Sequence, residues 1–91
     1  MRIGDLLGQG KAEAMPLRHL VVLTGLDGRT IRRMIERERR QGVPILSNNS
    51  SGYYLPGGDA EIAVCVSSLR RRAGEILRTA RAIEQGGGLS G

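Results

Sequence analysis

The sequence contains no phenylalanine or tryptophan, and two tyrosines are its only aromatic residues. A core must therefore be built from Leu, Ile, Val, Met and Ala side chains, which favours the packing of helices. Cysteine occurs once, at Cys65, so an internal disulfide and a multi-cysteine metal site are excluded. No segment approaches the ~20 apolar residues of a membrane span, and the start of the chain lacks the apolar core of a secretion signal. We expect a cytoplasmic protein.

Groups that could carry out catalysis are also scarce. The chain has one histidine, His19, and nine scattered acidic residues. They offer no nucleophile–base pair, no metal-ligand spacing and no phosphate-binding loop. We therefore expect no enzyme activity, no cofactor and no metal. For His19 we expect a surface or packing role, and for Cys65 that of a small buried apolar side chain.

Arginine, in contrast, is abundant. The net charge is +5, the sequence pI is about 10.7, and 13 of the 14 basic residues are arginine. Six of them fall within residues 24–42, TGLDGRTIRRMIERERRQG. The guanidinium group matches phosphate oxygens and guanine edges, which favours nucleic acid as the partner. A GC-rich genome would also enrich arginine, and an arginine-rich helix face is often only solvated.

The first 25 residues predict two helices of a single small domain. Residues 1–10 carry apolar side chains at helical spacing and are broken by Gly8 and Gly10, which predicts a short helix of about two turns. Pro16 suits the first turn of a second helix over 16–25, which would end at Gly25. The core positions expected in this second helix are Leu17, Leu20, Val21 and Leu23.

A third helix is expected over about 27–42, with Asp27 as its N-cap. Ile31, Met34 and Ile35 form its apolar face, and Glu38 lies at the edge of that face, where we expect it to be an ion-pair partner. At 100° per residue the opposite face holds a charged group, flanked by Arg32 and Arg37. That group consists of Arg29, Arg33, Glu36 and Arg40.

A β-hairpin is expected next. Two short apolar runs, 44–46 and 53–55, enclose the turn-forming residues 47–52. Successive strand residues point to opposite sides, so one of Tyr53 and Tyr54 should pack on the core while the other is exposed.

A long last helix is expected from Asp59, as its cap, to about residue 84. Apolar residues repeat every seven positions along it, with smaller ones between. We expect its first half to pack on the N-terminal helix and its second half to pair with a second copy, giving a homodimer. Small Ala73 and Ala80 would permit close approach. The expected dimerisation residues are Ile62, Leu69, Ala73, Ile76, Ala80 and Ile83. A lateral stripe, Arg70, Arg71, Arg78 and Arg81, either extends the basic surface or is solvated.

The middle of the chain resembles a helix-turn-helix. Leu20 and Leu23 stand in the first helix, Gly25 in the turn, and Ile31 and Met34 in the second helix. With the hairpin strand GYYL at 52–55 it is similar to the winged helix-turn-helix family, including small phage and mobile-element proteins. The resemblance implies a mainly α fold with a small β-hairpin and a long C-terminal helix. It divides the chain into a winged domain at 1–57, a C-terminal helix at 58–85 and a disordered tail at 86–91.

The resemblance also implies a function, namely sequence-specific binding of double-stranded DNA by a small transcriptional regulator. The helix at about 27–42 would enter the major groove and the wing would touch the flanking backbone. Glu36 would either accept from cytosine N4 or orient an arginine. Alternatives are an accessory factor in phage recombination, replication or packaging, and a protein–protein interaction module. The expected DNA-contacting residues are Arg29, Thr30, Arg32, Arg33, Glu36, Arg37, Arg40, Asn48, Asn49 and Ser50.

Overall fold

The computed structural model describes residues 1–48 and 50–88. As predicted, the chain is mainly helical, with a two-stranded antiparallel hairpin and a long C-terminal helix. Two short 3-10 turns, Ile3–Leu6 and Lys11–Glu13, precede the helices. The remaining elements are α1 (Leu17–Thr24), α2 (Gly28–Arg40), β1 (Leu46–Asn48), β2 (Gly52–Tyr54) and α3 (Asp59–Gly86).

The main core lies where α1, α2 and the N-terminal segment meet. Its buried side chains are Ile3, Leu7, Leu20, Ile31, Ile35 and Ile45. The predicted corner between α1 and α2 is confirmed: Gly25 is left-handed with φ +73°, and Asp27 accepts a 2.7 Å hydrogen bond from the Thr30 N–H.

Leu23 was predicted to be a core residue, but 61% of it is exposed. At 100° per residue the core-facing side of α1 carries Leu20 and Val21, and the Leu23 side chain projects to one side of it, away from the core.

The N-terminal segment is not the predicted two-turn helix. Within residues 1–10 only Ile3–Leu6 form a helical turn, of the 3-10 type. Glu38 of α2 holds the start of this turn. The Glu38 carboxylate accepts hydrogen bonds from the Ile3 and Gly4 N–H groups, at 2.8 and 2.9 Å. Because the first N–H groups of a helical turn have no internal acceptor, a buried carboxylate satisfies them. The prediction of an ion pair for Glu38 is therefore wrong.

The hairpin pairs Leu46 with Tyr54 and Asn48 with Gly52, so its strands begin slightly off the predicted positions. The chain before α1 covers the other edge of β2. Met15 exchanges two backbone hydrogen bonds with Tyr53, at 2.8 and 2.9 Å. Beside it, in a parallel bridge, the Leu55 N–H donates to the Gly8 carbonyl at 2.9 Å and the Gly10 N–H donates to the Leu55 carbonyl at 2.7 Å. The edge of β2 is thereby protected from pairing with another chain.

This extra pairing changes the expected places of the tyrosines. Tyr54 is buried with Leu46 and Cys65 in a second cluster, and burial raises the pKa of its hydroxyl above the ordinary value. Tyr53 is half-buried against the main core. The prediction that one tyrosine is exposed is wrong, because the N-terminal segment adds a layer that the sequence pattern does not reveal.

The long helix α3 packs on the hairpin rather than on the N-terminal helix predicted for it. Ile62 and Cys65 contact the cluster of Leu46 and Tyr54. Its first turn is not capped by Asp59, which is already helical; the N-cap is Gly58. Glu61 instead accepts the Gly57 and Lys11 N–H groups at 2.7 and 3.0 Å, and these bonds hold its pKa below the usual range.

The first turns of α3 pack in one cluster with the hairpin, across the predicted boundary between residues 57 and 58. The helix ends at Gly86, and Gly87 and Gly88 form a turn beyond it. Of the residues predicted to form a disordered tail, Gly86 lies in α3 and Gly87 and Gly88 lie in the turn, and 89–91 lie outside the described residues.

Candidate nucleic-acid interface

Helix α2 separates an apolar side from an arginine side. Ile31, Ile35 and Glu38 are buried, and Met34 packs against the main core. Seven of the residues predicted to contact DNA lie on the rest of the helix, and all are exposed. They are Arg29, Thr30, Arg32, Arg33, Glu36, Arg37 and Arg40. The structure therefore brings the predicted residues of this helix together on one accessible surface, which we call the α2 arginine face.

The α2 arginine face carries little internal charge neutralisation. Within the described chain one ion pair forms, between Arg40 and Glu36, with 3.6 Å between nitrogen and oxygen. These side chains are 79% and 56% exposed, so water screens the pair and its net contribution is small. Arg33, Glu36, Arg37 and Arg40 line a shallow groove on this surface together with Gln41. The groove is therefore strongly cationic.

Arg39 does not belong to the face, although the sequence places it in the same cluster. Its Nε donates to the Ile45 carbonyl at 2.8 Å, and its terminal nitrogen donates to the Ser47 hydroxyl at 3.1 Å. Arg39 thus joins the end of α2 to the start of β1. Its spacing of four residues from buried Ile35 places it beside the core, and this was the available signal for a structural role.

The start of α2 carries its own negatively charged group. The Asp27 carboxylate takes the Thr30 N–H, and hydrogen bonding with Thr30, first through its side chain and then through its N–H, holds the pKa of Asp27 below its ordinary value. A phosphate approaching the helix end would meet a negatively charged side chain there. Exposed Arg29 and Arg33 remain the groups at this end that can attract it.

Of the predicted DNA-contacting residues in the hairpin turn, Asn48 is engaged within the turn itself. The Asn48 side-chain oxygen accepts from the N–H groups of Ser50 and Ser51, at 3.1 and 2.6 Å, so it closes the turn instead of facing outward. Ser50 is exposed. Asn49, the third predicted contact of the turn, lies outside the described residues.

Two further arginines lie near this turn, and the sequence did not single them out. Arg18 from the first turn of α1 and Arg72 from α3 line one cleft with Ser50 and Ser51. The cleft brings Arg18 and Arg72 together across 54 positions of the sequence, so no local pattern could reveal it. Its two guanidinium groups and two hydroxyls suit the oxygen atoms of a phosphate backbone.

We also searched the described residues for a metal site, for the surroundings of the single histidine and the single cysteine, and for a membrane-spanning helix. No three His, Cys, Asp or Glu side chains there are grouped to hold a metal ion. His19 is exposed, and the buried Cys65 places its sulfur 3.9 Å from the Ser47 carbonyl oxygen. None of the helices in residues 1–48 and 50–88 combines the length and apolar character needed to cross a bilayer.

Comparison with known proteins adds no assignment. Neither a scan against protein-family models nor searches of curated proteins and solved structures give a significant match to this chain.

Proposed function

We propose that the protein binds double-stranded DNA in a sequence-specific manner, as a small winged helix-turn-helix transcriptional regulator of phage or mobile-element type. One observation carries the proposal: α2 buries Ile31 and Ile35 against the core while it exposes five arginines along its other sides. A surface with this charge attracts the phosphate backbone, and arginine can in addition read guanine.

The arrangement of α1, α2 and the hairpin supports this mode of binding. A glycine corner at Gly25 joins α1 to α2, and the hairpin follows α2 directly. An α-helix with its side chains is about 10–12 Å wide, which fits the ~12 Å major groove. Here α2 acts as the recognition helix, and the hairpin acts as the wing beside it.

The position of each residue on the helix supports an individual role for it. Arg29, Arg33 and Arg40 lie on the side directly opposite Ile31 and are placed to reach base edges. Arg32 and Arg37 lie at the flanks and suit phosphates on either side of the groove, with the Thr30 hydroxyl at the helix start. Glu36 pairs with Arg40 in the free protein and is available to accept from cytosine N4 when Arg40 turns to DNA.

The wing supplies backbone contacts of a simpler kind. Ser50 at the turn and the cleft formed with Arg18 and Arg72 offer hydroxyl and guanidinium donors but no apolar wedge. Such contacts fix orientation on the duplex and carry no sequence information.

The experiment begins with selection of bound sites from random duplex DNA, followed by fluorescence anisotropy on the selected site and on a scrambled duplex. Replacing both Arg29 and Arg33 by Ala should weaken the selected site by ~1–3 kcal/mol per lost base contact and reduce the preference over scrambled DNA. The matched control replaces Arg71 and Arg78, which are exposed on α3, and should reduce affinity less and equally for both duplexes.

Two outcomes would refute the assignment of α2. Equal, sequence-independent losses from both pairs of substitutions would show that α2 reads no bases. Absence of any duplex binding at low salt would favour an acidic protein partner instead, since electrostatic DNA binding strengthens steeply as salt falls. A role in phage recombination, replication or packaging uses the same DNA contacts, and deletion of the gene followed by transcript analysis separates it from regulation.

A further inference from the structure

The C-terminal two thirds of α3 extend away from the domain with an apolar line that no described residue covers. Every residue from 69 to 88 is exposed. Leu69 is 44% exposed, Ile76 68%, Leu77 56% and Ile83 69%. Residues 69–86 span roughly 27 Å at 1.5 Å per residue.

Three of these four apolar residues follow the heptad repeat of a coiled coil. Leu69, Ile76 and Ile83 recur every seven residues, and Ala73 and Ala80 lie at the alternate positions of the same seam. Large side chains alternate with small ones along the seam, so the isoleucines of one seam can pack on the alanines of another. A helix of this length with three large apolar residues in water is marginal by itself and is stabilised by a partner helix.

The domain already occupies the beginning of the same helix. Ile62, predicted to join the dimer seam, instead packs inside the subunit with Leu46, Tyr54 and Cys65. A parallel pair extending along the whole helix would have to displace the hairpin, and it would bring two basic domains together at one end. An antiparallel pair requires only the exposed half and places the two domains at opposite ends.

We propose that two copies of the chain pair through residues 69–86 of α3 as an antiparallel coiled coil. The two-fold axis crosses the seam at the level of residue 78. In this register Ile76 packs against the partner's Ala80, and Ile83 packs against the partner's Ala73. Charge complementarity favours the same register. Arg70 lies beside the seam on the edge that also carries Leu77 and Glu84, so Arg70 meets the partner's Glu84 at both ends of the pair.

This pairing is independent of DNA, but it bears on the function proposed above. A closed two-fold dimer presents two α2 helices to a two-fold-related DNA site. The oligomer test below uses no DNA, so its failure and the failure of the DNA proposal can be told apart.

The test measures oligomeric state by sedimentation equilibrium from roughly 1 to 300 µM protein, because a weak dimer forms by mass action. The wild-type chain should shift from monomer to dimer, and Ile76→Glu should remain monomeric throughout. Val64→Glu is the matched control, since Val64 is 71% exposed on the same helix but lies off the seam. It should dimerise like the wild type.

Two further measurements test the orientation. Arg70→Glu and Glu84→Arg should each weaken the dimer at least about tenfold, and the double variant should recover most of that loss. A spin label at position 64 in a Cys65→Ala background should give an interspin distance of about 42 Å or more, from 28 residues of axial separation. A parallel pair would give less than about 20 Å. A monomer at every concentration, a short distance, or no recovery in the double variant would overturn the proposal.

Discussion

Replacing Glu38 by Ala should destabilise the fold strongly. Glu38 is 5% exposed, and its two carboxylate oxygens accept the Ile3 and Gly4 N–H groups. Truncation leaves two buried donors without a partner, at ~1–3 kcal/mol each, and it removes packing around Gly4. We therefore expect a loss of about 3–5 kcal/mol in the free energy of unfolding. For a domain of this size that corresponds to a fall in Tm well above 10 °C, at ~4–8 °C per kcal/mol.

The assay is urea and thermal denaturation followed by circular dichroism, with Glu36→Ala as the control. Glu36 lies on the same helix, and its side chain is 56% exposed, so its removal should change stability by no more than about 0.5 kcal/mol. Glu38→Gln should lie between the two, since the amide retains one acceptor and presents a donor to the other N–H. A Glu38→Ala protein as stable as Glu36→Ala would refute the view that this carboxylate holds the N-terminal segment in place.

Three further predictions concern the hairpin and the helix starts. Arg39→Ala should cost about 1–3 kcal/mol, because the side chain donates to the Ile45 carbonyl and the Ser47 hydroxyl, whereas Arg40→Ala should be nearly neutral; urea denaturation distinguishes them. Gly52→Ala should destabilise by more than about 2 kcal/mol, measured in the same way, because Gly52 has φ +106° and an added Cβ would collide with the Met15 carbonyl. Stability should fall on acidification below about pH 4, because the folded-state pKa values of Asp27 and Glu61 lie below their ordinary values of 3.8 and 4.5. The stabilisation by these two carboxylates is complete above the ordinary pKa values, and it is lost as the pH drops through the folded-state values. Asp27→Asn keeps an oxygen for the cap and should weaken this pH dependence in thermal melts, and an unchanged profile would contradict the assigned cause.

Local sequence patterns were sufficient for the elements whose geometry is set by near neighbours. The period of apolar residues gave the buried and exposed sides of α2, because residues three and four positions apart share a face. Gly25 and Asp27 marked the corner for equally local reasons: one tolerates the left-handed conformation and the other accepts a nearby amide. The exposed positions of the α2 arginine face followed from that same period.

Contacts between distant parts of the chain were not predictable in this way. Nothing near residue 38 shows that its carboxylate bonds the N–H groups of residues 3 and 4. The pairing of Met15 with Tyr53 is equally non-local, and without it one tyrosine appears to face solvent. The long helix was mispredicted at its start because Glu61, two residues beyond Asp59, takes the Gly57 and Lys11 amides.

Two side chains of α2 hold the α2 arginine face in place relative to the rest of the domain. On its inner side α2 fixes the N-terminal segment through Glu38, and at its C-terminal end it fixes β1 through Arg39. Loss of Arg39 would therefore free the hairpin to move relative to α2 even where the domain stays folded. If the hairpin acts as the wing of a DNA-binding unit, Arg39→Ala should weaken the contacts of the hairpin with phosphate while base preference, carried by α2, persists. A change in base preference without loss of affinity would show that the hairpin does not act independently of α2.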